Sequence, residues 1–154
     1  DIEKFNYMYQ NLEKGKFGMV SMSDGLSTYG LVTFIVKNDS ESKYISKKNI
    51  KENTFIIQSI RGKLNFPNNI KGCKKKQNEI VNEFFLILKN KAKEEYSWND
   101  EEGLYNKVDF IFPSGGKIKV QCNDWNENIS NKYGWNDSLD VVIQDDEVTQ
   151  WLLN

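Results

Sequence analysis

Apolar and polar positions alternate along this chain at two periods, near 3.6 and near 2, and the changes between them lay out the elements. Ile2, Phe5, Tyr9 and Leu12 recur at helical spacing and Gly15 follows as a stop, which predicts an amphipathic helix over 2–14. Phe17–Met22 reads as a strand and Ser23-Asp24-Gly25 as a turn. Leu26–Val36, rich in β-branched and aromatic residues, completes a hairpin. Residues 37–51 are polar and charged, a loop. Phe55, Ile56, Ile57 and Ile60 mark a third strand over 54–60, and Pro67-Asn68-Asn69 marks another loop.

The strongest helical pattern spans Gln77–Tyr96, where Ile80, Val81, Phe84, Phe85, Ile87, Leu88 and Ala92 give a wide apolar face. An acidic loop around Trp98 is expected over 97–104. Val108, Phe110 and Phe112 alternate with polar positions, as do Ile118, Val120 and Cys122. With Pro113-Ser114-Gly115-Gly116 between them, these segments predict a hairpin. A polar, Trp-bearing loop over 123–137 leads to a strand at Leu139–Ile143 and a short helix over 145–153 with Asp145 as N-cap. The order is α-βββ-α-βββ-α. That predicts one α+β domain over 1–154: a mainly antiparallel sheet of about six strands with a central long helix packed on it.

Composition fits that reading. The chain has 154 residues, 38% of them hydrophobic, 28% charged and only two of them proline, so it can bury a core of its own. Its longest apolar run, Phe84–Leu88, is too short for a transmembrane segment. Histidine is absent, which excludes Ser-His-Asp and Cys-His catalysis and the usual histidine metal sites. No cofactor motif, metal set or catalytic residue stands out.

The net charge of −1 conceals two blocks of opposite sign. Residues 41–93 carry 13 basic and 4 acidic groups, and residues 94–154 carry 4 basic and 13 acidic ones. If the blocks occupy separate faces, the basic one suits phosphate or nucleic acid and the acidic one a basic protein. Lysine outnumbers arginine 20 to 1, the bias of an AT-rich, bacterial-like coding sequence, which weakens arguments from lysine count alone.

Within the basic block, Lys71, Gly72, Lys74, Lys75 and Lys76 lead into the predicted main helix. Cations at a helix N-terminus oppose its dipole, and a bound anion would offset that cost, so these residues form a candidate anion site. Tyr44 beside Lys43, and Phe66 near Lys63, mix rings with cations as a nucleic-acid surface would. Asp109, facing Lys117 and Lys119, partly resembles the arrangement of PD-(D/E)xK nucleases, with Glu79 or Glu83 as the helix carboxylate. The middle carboxylate of that pattern is missing.

In the acidic block, Trp98, Trp125 and Trp135 lie among Asp124, Glu127 and Asp137. Tryptophan is enriched at interface hot spots, and carboxylates around it suit a basic partner. Asp140, Asp145, Asp146 and Glu147 add to the cluster but lack a calcium-loop pattern. The leading expectation is therefore a non-enzymatic protein-binding domain, of inhibitor, immunity or adaptor type, that uses the acidic, Trp-bearing C-terminal third. One alternative is a nucleic-acid-binding or toxin-like metal-dependent nuclease domain using the basic segment 41–93. Another is an extracytoplasmic domain of a secretion or surface apparatus. The chain begins at Asp1 without a leader pattern, and Cys73 and Cys122 permit one disulfide, so cytoplasmic and secreted locations both stay open.

Overall fold

The computed structural model describes residues 7–12, 17–23, 28–38, 55–89 and 93–153. Its centre is one antiparallel sheet built from β1 (Tyr7–Leu12), β2 (Phe17–Met22), β3 (Leu31–Asn38), β4 (Phe55–Asn65), β5 (Lys93–Asn99), β6 (Gly103–Ile111), β7 (Lys117–Trp125) and β8 (Ser138–Gln144). Helix α1 (Ile70–Ile87) joins β4 to β5, α2 (Glu127–Tyr133) joins β7 to β8, and α3 (Asp146–Leu153) follows β8. The eight strands lie in the order β1-β2-β3-β4-β8-β7-β6-β5, so the last strand of the chain sits near the middle of the sheet.

The expected α+β class and antiparallel sheet hold, with eight strands among the described residues instead of about six. The expected N-terminal helix is replaced in part by β1, whose backbone pairs with β2 from Tyr7↔Met22 to Leu12↔Phe17. Four apolar residues at helical spacing are a short signal, and pairing with a neighbouring strand overrides it. The main helix runs from Ile70 to Ile87, not from Gln77 to Tyr96. It starts where Asn69 caps it, the Asn69 side chain accepting from Gly72 N at 2.9 Å. It stops before Lys89, whose φ of 54° is left-handed. Residues 93–99 then form β5, where the sequence suggests the helix end and an acidic loop. The expected loop over 123–137 contains the end of β7 and all of α2. Asp145 caps α3 as expected, its Oδ1 accepting from Val148 N at 3.0 Å. The predicted loop residues 39–51, with Lys43 and Tyr44, lie outside the described residues.

Strand alternation gives the sheet two faces. The first carries Val108 and Phe110 of β6, Ile118, Val120 and Cys122 of β7, and Leu139 and Val141 of β8, and α1 packs on it through Cys73 and Val81. Cys73 of α1 and Cys122 of β7 form a disulfide in which both residues are fully buried. The buried Gln77 adds two hydrogen bonds, its Nε2 donating to Asn106 O at 2.8 Å and to Val120 O at 2.9 Å. α1 covers only part of this face. Ile60 and Ile143, paired across β4 and β8, remain exposed beyond it, as does Ile57. No helix among the described residues is long and apolar enough to cross a membrane.

The second face is polar where the first is apolar. α3 covers one end of it, where Trp151 packs on Phe17 with ring centroids 5.0 Å apart, Gln144 Nε2 donates to Thr149 Oγ1 at 2.9 Å, and Lys37 pairs with Glu147 at 2.8 Å.

Candidate functional site

Beyond α3, the second face carries two neighbouring features: a row of aromatic rings and a network of charged side chains. The ring row is set by register. Trp98 lies directly opposite Tyr105, and Gly103, two residues before Tyr105 on β6, lies opposite Trp125. Trp98 stacks on Tyr105 with centroids 4.8 Å apart and planes 14° from parallel, and Tyr105 meets Trp125 edge to face at 5.6 Å. Trp125 packs against Trp135 at 4.7 Å, and Trp135 stacks on Tyr133 at 5.1 Å. Five rings from three strands, α2 and the loop after it therefore touch in sequence.

Local structure explains how the two ends of this row come together. A Cβ at Gly103 would collide with the backbone carbonyl of Asp124, so only glycine lets β6 approach β7 this closely. Asn126 caps α2, its Oδ1 accepting from Ile129 N at 3.0 Å. Gly134 ends α2 at a φ of 68°, and the turn delivers Trp135 back onto Trp125. Asp137 then holds Trp125 in place, its Oδ1 accepting from Trp125 N at 3.2 Å.

The row is buried in the middle and open at its ends. Tyr105 is 6% exposed, Trp98 40% and Trp135 41%. Burial, reinforced by the charges of Asp100 and Glu102, pushes the Tyr105 phenol up to about 12. Asp100, Glu101, Glu102 and Glu127 are exposed around the same end of the sheet. Two of the chain's own lysines already lie over rings here: Lys107 Nζ is 4.5 Å from the Tyr96 centroid and 5.9 Å from that of Trp98, and Lys132 Nζ is 4.8 Å from that of Tyr133.

Of the expected partner-binding residues, the structure thus joins Trp98, Trp125 and Trp135 and leaves Glu127 exposed in the first turn of α2. It separates the other two. Asp124 pairs with Leu104 and points toward the opposite sheet face from Trp125. Asp137 is buried, and burial raises its proton affinity above the usual carboxylate range, with the Asp124 charge adding to the rise. Its role is to position Trp125. Tyr105 and Tyr133 complete the row although the sequence pattern does not single them out; the alternation of Tyr105 with Lys107 and Asp109 along β6 is the signal that places Tyr105 on the polar face.

The expected anion-binding run does not precede α1 but lies inside its first two turns. Lys71 and Lys75 are exposed, and Lys76 pairs with Glu79 at 3.1 Å. Lys74 borders a cleft of about 390 Å³ between α1 and the β5–β6 edge. The Gly72 N–H, one of the amides at this helix start, donates to the Asn69 side chain at 2.9 Å.

The charged network lies beside the rings. Lys107 pairs with the buried Asp109 at 3.1 Å. Arg61 binds both oxygens of Asp140, Nε to Oδ1 at 3.0 Å and the terminal nitrogen to Oδ2 at 2.7 Å, and Asn123 Nδ2 donates to Oδ2 at 2.9 Å. The two charge blocks of the sequence therefore meet here, Arg61 coming from the basic one and Asp140 from the acidic one. Asp109 lies opposite Lys119, as the nuclease-like pattern expects, but Glu79 and Glu83 sit on α1, which covers the other face of the sheet. Among the described residues no three carboxylates or thiols gather as a metal-binding set.

Comparison of the chain with protein-family models, with curated proteins and with solved structures finds no match.

Proposed function

We propose that this chain is a non-catalytic protein-binding domain that grips a lysine- or arginine-bearing segment of a partner on the Trp98–Tyr105–Trp125–Trp135–Tyr133 row. The observation that carries this reading is the row itself, with exposed Trp98 at one end, exposed Trp135 and Tyr133 at the other, and carboxylates around it. A large ring already held by its neighbours loses little conformational freedom on binding, which is why such residues dominate interfaces. Carboxylates nearby favour a cationic partner and disfavour an anionic one. The chain's own Lys107 and Lys132 sit as a partner's cations would sit.

The test is titration of the protein with an arginine-rich peptide, followed by tryptophan fluorescence. Saturable binding should weaken at least about tenfold in Trp98→Ala and in Trp135→Ala, the range typical of hot-spot truncation, with the fold intact by circular dichroism. A glutamate-rich peptide of equal length should not bind. Equal binding of both peptides, or unchanged affinity in both variants, sinks the proposal.

The Cys73–Cys122 bridge supports placing this activity in an oxidising compartment, since structural disulfides persist there and are rare where thiols are kept reduced.

A further inference from the structure

The charged network holds a surplus that the aromatic row does not use. Strand β8 forms its floor with Asp140 and Val142, both buried. Arg61 and Lys63 of β4 lie opposite Val142 and Asp140 on one side. Lys119 and Gln121 of β7 lie opposite the same two residues on the other. Adjacent strands are about 4.8 Å apart, so these four side chains rise from backbones about 10 Å apart across a single strand.

Within this frame Asp140 accepts three hydrogen bonds, two from Arg61 and one from Asn123. Lys107 is occupied by Asp109. Lys63 and Lys119 are different: neither has an ion-pair or hydrogen-bond partner among the described residues, although both are partly buried. Burial strips water from both ammonium groups and lowers their proton affinity; the Asp140 charge opposes that fall in part, and the neighbouring Arg61 charge adds to it. Two partly dehydrated ammonium groups without a direct partner, sharing one carboxylate that Arg61 already holds, leave a surplus of positive charge on this sheet face that a further anion would offset.

We infer that Lys63 and Lys119, with Gln121 beside them and β8 beneath, form a cradle for a phosphate dianion, either free or as a phosphate monoester. The charge of a dianion matches the two unpaired lysines, and its oxygens accept from both ammonium groups and from the Gln121 amide. That amide donates one N–H to Asn123 Oδ1 at 2.5 Å and carries a second. This site is separate from the aromatic row, and its failure would leave the protein-binding proposal standing.

The experiment follows the thermal unfolding midpoint in inorganic phosphate against sodium chloride at equal ionic strength. Phosphate should raise the midpoint saturably and chloride should not. Lys63→Met and Lys119→Met should each weaken the apparent phosphate affinity about tenfold or more, as loss of a charge-assisted contact does. Each should also fold at least as stably as the parent without phosphate, because a partly buried unpaired charge is removed. Lys71→Met and Lys75→Met, on α1, should bind as the parent does. A second arm uses adenosine 5′-monophosphate: saturation at lower concentration than phosphate assigns a monoester ligand, and equal or weaker binding assigns the free ion. The inference is overturned if phosphate acts no differently from chloride. It is equally overturned if the Lys63 and Lys119 variants keep full affinity while the α1 variants lose it. Destabilised Lys→Met variants without a phosphate effect would show instead that the lysines serve only to neutralise Asp140.

Discussion

Arg61 reaches across from β4 to hold both oxygens of Asp140 on β8, joining the basic and acidic parts of the sequence by a two-point ion pair. The partners are unequal. The Arg61 side chain is 47% exposed and that of Asp140 only 5%. Removing the carboxylate strands three cations, Arg61, Lys63 and Lys119, on a face that no longer offsets them. Asp140→Ala should therefore cost about 3 kcal/mol. Arg61→Met leaves Asp140 with Asn123 and nearby lysines and should cost about 1–2 kcal/mol, because water already screens the guanidinium. Urea denaturation of the two variants checks the order, and equal losses would contradict it.

The Cys73–Cys122 disulfide links α1 to β7 across a sequence separation of 49 residues. Chain-entropy arguments give a loop of that length a stabilisation of about 4 kcal/mol. The variant carrying Cys73→Ala and Cys122→Ala should lose about 2–4 kcal/mol in equilibrium denaturation. Because both cysteines are fully buried, native protein in mild reductant should keep the bond until it unfolds. Thiol labelling that tracks unfolding supports this, and labelling of folded protein refutes it.

Tyr105 should be a late-titrating tyrosine. Its phenol is pushed from 10.0 to about 12 by burial and by the Asp100 and Glu102 charges. Between those two values the folded state keeps its proton while the unfolded state loses one. The associated stability is fully present below pH 10 and is lost as the pH rises through about 12. Ultraviolet absorbance of the phenolate should show a phenol ionising near that upper limit, and Tyr105→Phe should remove both that step and the accompanying fall in stability.

Gly103→Ala tests how closely β6 approaches β7 beneath the ring row. The added methyl group meets the backbone around Asp124, which cannot rotate away as a side chain would. Overpacking of this kind costs about 1–3 kcal/mol. The change should also disturb Trp125, whose Cα would lie 3.0 Å from the new methyl carbon. A shifted tryptophan emission spectrum together with lower stability is the expected result; unchanged emission would show that the row does not depend on this approach.

Much of the fold can be read from the sequence where a period is long and its neighbours agree. The hairpin around Pro113-Ser114-Gly115-Gly116 alternates over enough residues to fix both strands, and Asp145 followed by Asp146 and Glu147 marks the start of α3. The main helix is visible as a helix but not in position, because the lysines that open it are good helix formers whichever way the dipole points, and only the Asn69 cap sets the start. Residues 7–12 and 93–99 form the edge strands of the sheet, where pairing with a neighbour outweighs a short local pattern. The tryptophans draw attention by residue type, yet Asp124 and Asp137, equally prominent in sequence, fall on the far face and in the interior.

From its sequence alone this chain is determined to be an α+β domain with an antiparallel sheet, lacking histidine chemistry and rich in late tryptophans, because composition and hydrophobic period are local properties. Only the tertiary structure decided that β8 inserts between β4 and β7. That placement brings Arg61 to Asp140 and sets Lys63 and Lys119 beside them without a partner among the described residues, while the register of β5, β6 and β7 puts five rings in one row. Strand order and register depend on partners far apart in the chain, and no local pattern encodes which distant strand will satisfy a given edge.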